Sequence, residues 1–413
     1  MKPLDIAIAG CGPAGLAAAL FLGRAGHRVT LFDQFREPRP LGSGLILQPT
    51  GLAVLSELGL YGQILPLGQR IDRLYGRVAS TRRIVLDVRY SALGPDVFGL
   101  AVHCSALFSV LYDAVGHESI ALETGRKVAG LDQGADSRIR LLQEGGGSRG
   151  PFDLVIDALG ARSSLRPVFD RTNRPRRELA YGALWATVPW PRDGFDRTAL
   201  EQRYERASVM VGVLPIGRIR KNGEDLAALF WSLKPEAYGR WLEAGLGAWK
   251  DDARRLWPEI HPLLESLQSP DDLTLARYCH ATLASPVAGR AVAIGDAAHA
   301  TSPQLGQGAN MALLDACALA FALDEATDLD SALKAYARAR RWHVRFYQAL
   351  SLGFTPAYQS DSHLLPLLRD WVIAPATRLP GLRRFVAASV AGIALDPRPH
   401  LQLPMLTGEA VSI

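Results

Sequence analysis

Two aspartates in this chain stand where a carboxylate can hold a ribose or ribityl hydroxyl, and a glycine-rich turn accompanies each. The first turn is Gly10-Cys11-Gly12-Pro13-Ala14-Gly15, and Asp33 follows Gly15 by eighteen residues. Gly10 permits a tight turn, Gly12 lets a pyrophosphate approach the backbone, and Gly15 lets a helix pack close to a strand. Asp33 can accept a hydrogen bond from a ribose 2′-hydroxyl but repels a 2′-phosphate. This unit therefore reads as an FAD or NAD site, not an NADP site. The second constellation is Gly295-Asp296-Ala297-Ala298-His299, then Pro303, then Gly306-Gln307-Gly308-Ala309-Asn310. Its aspartate suits a ribityl or ribose hydroxyl. The backbone N–H groups from Gly306 to Asn310, at a helix start, suit a group that becomes anionic, such as the N1–C2=O edge of a reduced flavin.

The elements that must position these groups are visible around them. Ile6-Ala7-Ile8-Ala9 reads as a buried strand, Leu16 to Leu22 as a helix, and Val29 to Phe32 as a second strand ending on Asp33. That is the order of a dinucleotide-binding βαβ unit, with a positive helix N-terminus facing a diphosphate. Ala291 to Ile294 reads as a strand ahead of the second turn, and Met311 to Leu323 as the helix after it.

Together the two constellations resemble the class A flavoprotein monooxygenases, the aromatic hydroxylases of para-hydroxybenzoate hydroxylase type, with ubiquinone-pathway hydroxylases as relatives. The resemblance covers most of residues 1–345. It implies an α/β fold: a Rossmann-like FAD-binding domain of the GR2 type, an interleaved β-sheet substrate domain and a helical C-terminal segment. It implies FAD as cofactor and NADH or NADPH as electron donor. O₂ would be activated as a flavin C4a-hydroperoxide to hydroxylate a small aromatic or heteroaromatic substrate. On the family pattern Gly10, Gly12, Pro13, Ala14, Gly15, Asp33 and Gln34 bind the cofactor. Arg36 lies on the adenosine side and Val128 near the adenine. Gly44 and Leu45, in the run Gly42 to Pro49, lie beside the isoalloxazine. Asp296, Pro303, Gly306, Gly308, Ala309 and Asn310 complete the set. Two positions depart from the pattern. Cys104, in His103-Cys104-Ser105-Ala106-Leu107, stands where the family carries an arginine for the FAD diphosphate. A charge-assisted contact of about 1.5–3 kcal/mol is absent there, unless Arg36 compensates. Leu159 stands where the family carries the aspartate of its Asp-Gly motif. If residues 157–159 are extended, Asp157 points to the same side and partly substitutes for it; the equal alternative is a structural carboxylate bonded to backbone N–H groups.

Hydroxylation of this kind asks little acid–base chemistry of the protein, which supplies orientation and a dry pocket. Tyr204 is the candidate base for a phenolic substrate, with a surface tyrosine as the plainer reading. His299 is a second candidate, with bonding to loop carbonyls as the plainer one. The rival activities on this scaffold are a flavin dehydrogenase, a reductase or a halogenase. The last is disfavoured because Trp185 and Trp190 lack the Trp-x-Trp spacing. A different class of rival is a flavin- or NAD-binding regulatory protein without turnover.

The chain's 413 residues suffice for two or three domains. Residues 1–70, 100–180 and 270–345 are expected to form the FAD-binding domain, 71–99 and 181–269 the substrate sheet, and 346–413 the C-terminal helical segment. Strand character marks Val78 to Val88, Tyr181 to Val188, Val209 to Pro215 and Leu226 to Ser232, the last two flanking a turn-rich stretch. Net charge is a mild +5, and Arg338, Arg340, Arg341 and Arg345 read as one solvated helix face, not a nucleic-acid surface. The apolar run Trp371 to Leu395, broken by three arginines, reads as a packed cap over a membrane-surface helix. The N-terminus does not read as a signal peptide, and no run is long enough for an integral membrane segment. Four cysteines and nine histidines show no metal-ligand spacing, so no metal is expected. The expected setting is cytoplasmic, as monomer or homodimer, with a small organic substrate and O₂ as partners.

Overall fold

The structure is a computed structural model, and it describes residues 1–38, 42–133, 138–170, 172 and 177–404. The opening strand is Asp5–Ala9, paired in parallel with Arg28–Phe32 on one side and Leu154–Asp157 on the other. The full sheet runs Val287–Ala288, Ala291–Ala293, Leu154–Asp157, Asp5–Ala9, Arg28–Phe32, Ala121–Glu123. All its pairs are parallel except the one at the Val287–Ala288 edge. Ile6, Ala7, Ile8 and Ala9 are fully buried, as a parallel sheet covered on both faces requires. The helix Pro13–Arg24 packs against this sheet and against the helix Gly308–Glu325. Their alanines, among them Ala17, Ala18, Ala316 and Ala318, permit a close approach within one core.

A second, seven-stranded sheet is built from distant segments. Its order is Thr274–Ala276, Gly182–Pro189, Leu226–Leu233, Val209–Gly217, Ala199–Glu205, Arg73–Val78, Ile84–Arg89. Only the Ala199–Glu205 pairing with Arg73–Val78 is parallel. A smaller sheet, Gly44–Leu47, Gly99–His103 and Gln69–Ile71, lies where the chain passes between the two. Val209–Gly217 and Leu226–Leu233 pair as the antiparallel neighbours expected from the turn between them.

Three expectations are corrected. Val78 to Val88 is not one strand: Arg73–Val78 and Ile84–Arg89 form a hairpin, with Arg82 at its turn in a left-handed conformation. The boundary at 345/346 falls inside a continuous 30-residue helix, Leu329–Tyr358. The basic run on that helix is not one solvated face, because Arg340 is buried. The C-terminal helices pack by one side only. Ala387 and Val390 of the helix Pro380–Val390 join the core under the second sheet, while Leu364, Leu367, Trp371 and Leu379 are exposed. Residues 405–413 of the expected C-terminal segment lie outside the described residues. No helix among the described residues is long and apolar enough to cross a membrane.

Candidate functional site

The first glycine turn is held in shape from both sides. Gly10 adopts a left-handed φ of 108°, and a side chain there would strike the Ala158 carbonyl. A Cβ on Gly15 would lie 1.9 Å from the Gly10 carbonyl oxygen. Gly12 differs: a Cβ there meets nothing within 4 Å. It caps the helix Pro13–Arg24 without any side-chain partner, so the helix N-terminus opens onto free space. Asp33 anchors the turn. Its Oδ2 accepts from the Cys11 N–H at 2.7 Å and its Oδ1 from the Phe35 N–H at 3.2 Å. Gln34 and Arg36 are exposed next to it, and Val128 is buried at the start of the strand Val128–Gln133. Cys104 is half-buried as the first residue of the helix Cys104–Gly116, and burial pushes its thiol up to about 11.

The second turn is fixed by a buried network that the sequence does not announce. Gly295 has a φ of 59°, and its N–H donates to Asp315 Oδ2 at 2.8 Å. The same oxygen meets His299 Nε2 at 2.5 Å, while Asp315 Oδ1 accepts from Arg340 Nε at 2.6 Å. Arg340 Nη1 reaches His343 Nδ1 at 3.2 Å, which leaves His343 Nε2 to donate to the Gly392 carbonyl. Burial alone would raise the Asp315 carboxyl, but His299 and Arg340 hold it well below the usual carboxylate range. His343 is driven down to about 3 by burial and by Arg340. His299 is thus buried in structural duty as the plainer reading expected, but on a carboxylate more than on loop carbonyls. It does not line the cavity described below.

Asp296, one residue from this network, faces the opposite way. Its carboxylate is solvent-reachable and has no hydrogen-bond partner among the described residues, yet protein surrounds it. That desolvation raises its pKa, His299 opposes the shift, and Asp315 adds to it. Asp296 lines a cavity of about 360 Å³ together with Gly44, Leu45, Pro303, Gly306, Gly308 and Ala309. Asn310 stands behind that surface as a clip. Its Oδ1 accepts from the Gln48 N–H, and its Nδ2 donates to the Ile46 and Gly306 carbonyls. Buried polar atoms along this wall lack partners: Gln48 Nε2, Thr301 Oγ1 and Gln304 Nε2. An N-terminus of an 18-residue helix, a free carboxylate and unpaired donors on one wall fit the polar edge and ribityl chain of a flavin.

The opposite wall comes from the second sheet, whose period of two aims alternate side chains inward. Leu200, Gln202 and Tyr204 come from one strand, Met210 and Leu214 from the next, Leu86 and Val88 from the edge. Tyr204 is therefore neither at the surface nor poised as a base. Its ring is fully buried, its hydroxyl donates to Gln202 Oε1 at 2.8 Å, and burial pushes it well above the usual tyrosine range. Gln202 and Tyr278 were not singled out from sequence, and Trp185 was read only for its spacing to Trp190. Alternation along a strand was the only local signal for Gln202, and the cavity exists only once separate segments meet.

Asp157 is 1% exposed, and Leu159 is not extended. Asp157 Oδ1 accepts from the Leu159 N–H at 3.1 Å and Oδ2 from the Ser163 hydroxyl at 2.6 Å. The condition under which it would stand in for the missing motif aspartate fails, and the structural reading holds.

Comparison with known proteins identifies the family and the fold. A family model described as an FAD binding domain matches residues 3–348. The chain is 27% identical over 348 residues to aurachin C monooxygenase/isomerase of Stigmatella aurantiaca, covering 82% of this chain and 85% of that protein. It is 26% identical over 401 residues to kynurenine 3-monooxygenase of Salinispora arenicola (strain CNS-205), covering 89% and 86%. The fold matches that of Klebsiella pneumoniae HpxO, crystallised with FAD and uric acid. The TM-score is 0.77 at 20% identity, over 93% of this chain and 97% of that one.

Proposed function

The chain belongs to the FAD binding domain family, that of the class A flavin monooxygenases, and from that premise we propose that it is an FAD-dependent monooxygenase. NADH or NADPH would serve as its electron donor and a small aromatic compound as its substrate. The observation that carries this is the position of Asp296. An unpartnered carboxylate sits at the seam between a glycine-lined wall and an apolar cavity walled by a second sheet. Bound FAD would supply the electron transfer and the activation of O₂.

The chain's own residues bind, orient and exclude water. Gly10, Gly12, Pro13, Ala14 and Gly15 would hold the diphosphate at the open helix N-terminus. Asp33 already spends both oxygens on backbone N–H groups, so it would take the ribose through remaining lone pairs. Gln34, Arg36 and Val128 would flank the adenosine. Asp296 would accept from ribityl hydroxyls, with Gly44, Leu45, Pro303, Gly306, Gly308 and Ala309 against the ring system. The Leu- and aromatic-rich opposite wall would keep the reacting face dry.

The test is flavin uptake followed by anaerobic stopped-flow reduction with NADH and with NADPH. Stoichiometric FAD and bleaching of its absorbance by one of the two are expected. Protein that takes up no FAD at tens of micromolar would overturn the reading.

A further inference from the structure

The cavity wall that faces away from the cofactor side is chemically unusual for a site meant to hold an acid. Its side chains are Leu74, Leu86, Val88, Trp185, Leu200 and Phe230, with Phe354 and Tyr358 from the long helix and Phe385 from the last one. No lysine, arginine or histidine lines the cavity among the described residues, and Asp296, on the cofactor side, is the single charged group in that lining. One buried guanidinium, Arg369, packs against two lining rings without lining the cavity itself. It stacks on Tyr204 and Tyr358 at 4.9 and 5.3 Å, its Nε donates to Asp370, and its Nη1 to the Arg206 and Ala357 carbonyls. An anion placed in this cavity would lose its hydration with no cation to replace it, and would sit near the Asp296 carboxylate.

Within this apolar wall one donor group is pre-oriented. Tyr204 donates to Gln202 Oε1 at 2.8 Å and fixes the carboxamide in place. Gln202 Nε2 is left with the Met210 sulfur at 3.5 Å, a weak acceptor, as its one partner among the described residues. A second donor stands nearby in the lining. Tyr278 accepts from Trp185 Nε1 at 2.6 Å, so its own O–H is directed elsewhere.

Resting on the proposed function above, we propose that the substrate is an uncharged, apolar-bodied aromatic compound. A ring hydroxyl or carbonyl oxygen accepts from the Gln202 carboxamide, and Gln202 is the residue that sets specificity. The cavity selects against carboxylate-bearing aromatics by desolvation, and selects for the ring oxygen by leaving Gln202 Nε2 underpaired when that oxygen is missing.

The experiment uses the full-length FAD-loaded protein and three probes: 1-naphthol, 1-hydroxy-2-naphthoate and naphthalene. Binding is read from perturbation of the flavin absorbance and confirmed by calorimetry. The neutral phenol should bind at least about tenfold more tightly than its carboxylate. Gln202→Leu, similar in size and free of a donor, should weaken 1-naphthol by about tenfold and leave naphthalene unchanged. Because Gln202→Leu could disturb folding, Gln202→Met provides a second arm. It keeps the length of the side chain, carries no N–H donor, and should weaken 1-naphthol likewise while leaving naphthalene unchanged. Equal or tighter binding of 1-hydroxy-2-naphthoate would overturn the proposal. So would failure of 1-naphthol to bind the FAD-loaded protein, or an unchanged 1-naphthol affinity in both variants. Failure of the protein to load FAD overturns the proposed function itself, and is read before any probe is added.

Discussion

Arg340→Met tests whether the buried network behind the second turn carries the weight the geometry gives it. The guanidinium is 3% exposed and the Asp315 side chain fully enclosed, so the pair has almost no solvent to fall back on. Removing one partner of such a pair typically costs about 3–5 kcal/mol, because the other charge is left buried. His299 remains on Asp315 Oδ2 and can keep part of the compensation, so a loss of about 3 kcal/mol is expected. Arg340→Met with Asp315→Asn removes the stranded charge while keeping an oxygen for the Gly295 N–H, and should recover at least half of that loss. The pH dependence has a definite sign. Asp315 is depressed in the folded protein, so its stabilising contribution is present above the ordinary carboxylate pKa and is lost as pH falls through the folded value. Without Arg340 that depression shrinks, so the destabilisation should be nearly equal at pH 7 and pH 4 and fall off only below the ordinary carboxylate value. Urea unfolding followed by tryptophan fluorescence measures all three proteins at both pH values. Losses below about 1 kcal/mol for Arg340→Met, or strictly additive effects in the double variant, would refute the reasoning.

Four further outcomes are expected. Gly12→Ala should fold normally and bind FAD at least tenfold more weakly, whereas Gly15→Ala should fail to fold stably, because only the second Cβ meets backbone; circular dichroism and flavin titration separate them. Asp296→Ala should weaken FAD without lowering the unfolding midpoint, since its carboxylate bonds nothing in the protein. Cys104→Arg should tighten FAD, and should do so less at high salt, if residue 104 faces the diphosphate; an unchanged dissociation constant at two salt concentrations would remove it from the site. His343 is held neutral with its pKa near 3 against an ordinary 6.5, so its contribution is present above pH 6.5 and is lost as pH falls toward 3. Moving from pH 7.5 to 5 should therefore cost roughly 2 kcal/mol, a slope that His343→Gln flattens.

The first turn was legible because everything it needs is local. Strand, glycines, helix and acid lie within 33 residues, and each glycine's role follows from its immediate neighbours. The place of Asp296 at the start of the second turn was legible for the same reason. Arg340 was not. A basic run at helical spacing looks solvated, and the stripe Tyr336, Arg340, His343, Tyr347 becomes meaningful only when Asp315 arrives from another helix. Asp157 turned on a single backbone conformation at Leu159 that the residue types left open. Tyr204 was found by its chemistry and misjudged in its surroundings, since its burial depends on Tyr358 and Arg369 more than 150 residues away. The cavity is the least local feature, drawn from strands that the chain visits between residues 73 and 276 and from helices beyond residue 350.

The most direct test of the central claim is turnover under ¹⁸O₂. FAD-loaded protein, NADH or NADPH and a neutral phenol such as 1-naphthol would be incubated and the product analysed by mass spectrometry. Product carrying one atom of ¹⁸O, formed with substrate-stimulated oxidation of the nicotinamide, is the predicted result. Oxidised product without ¹⁸O, or a rate that persists unchanged in the absence of oxygen, would contradict it and point to a dehydrogenase on the same scaffold.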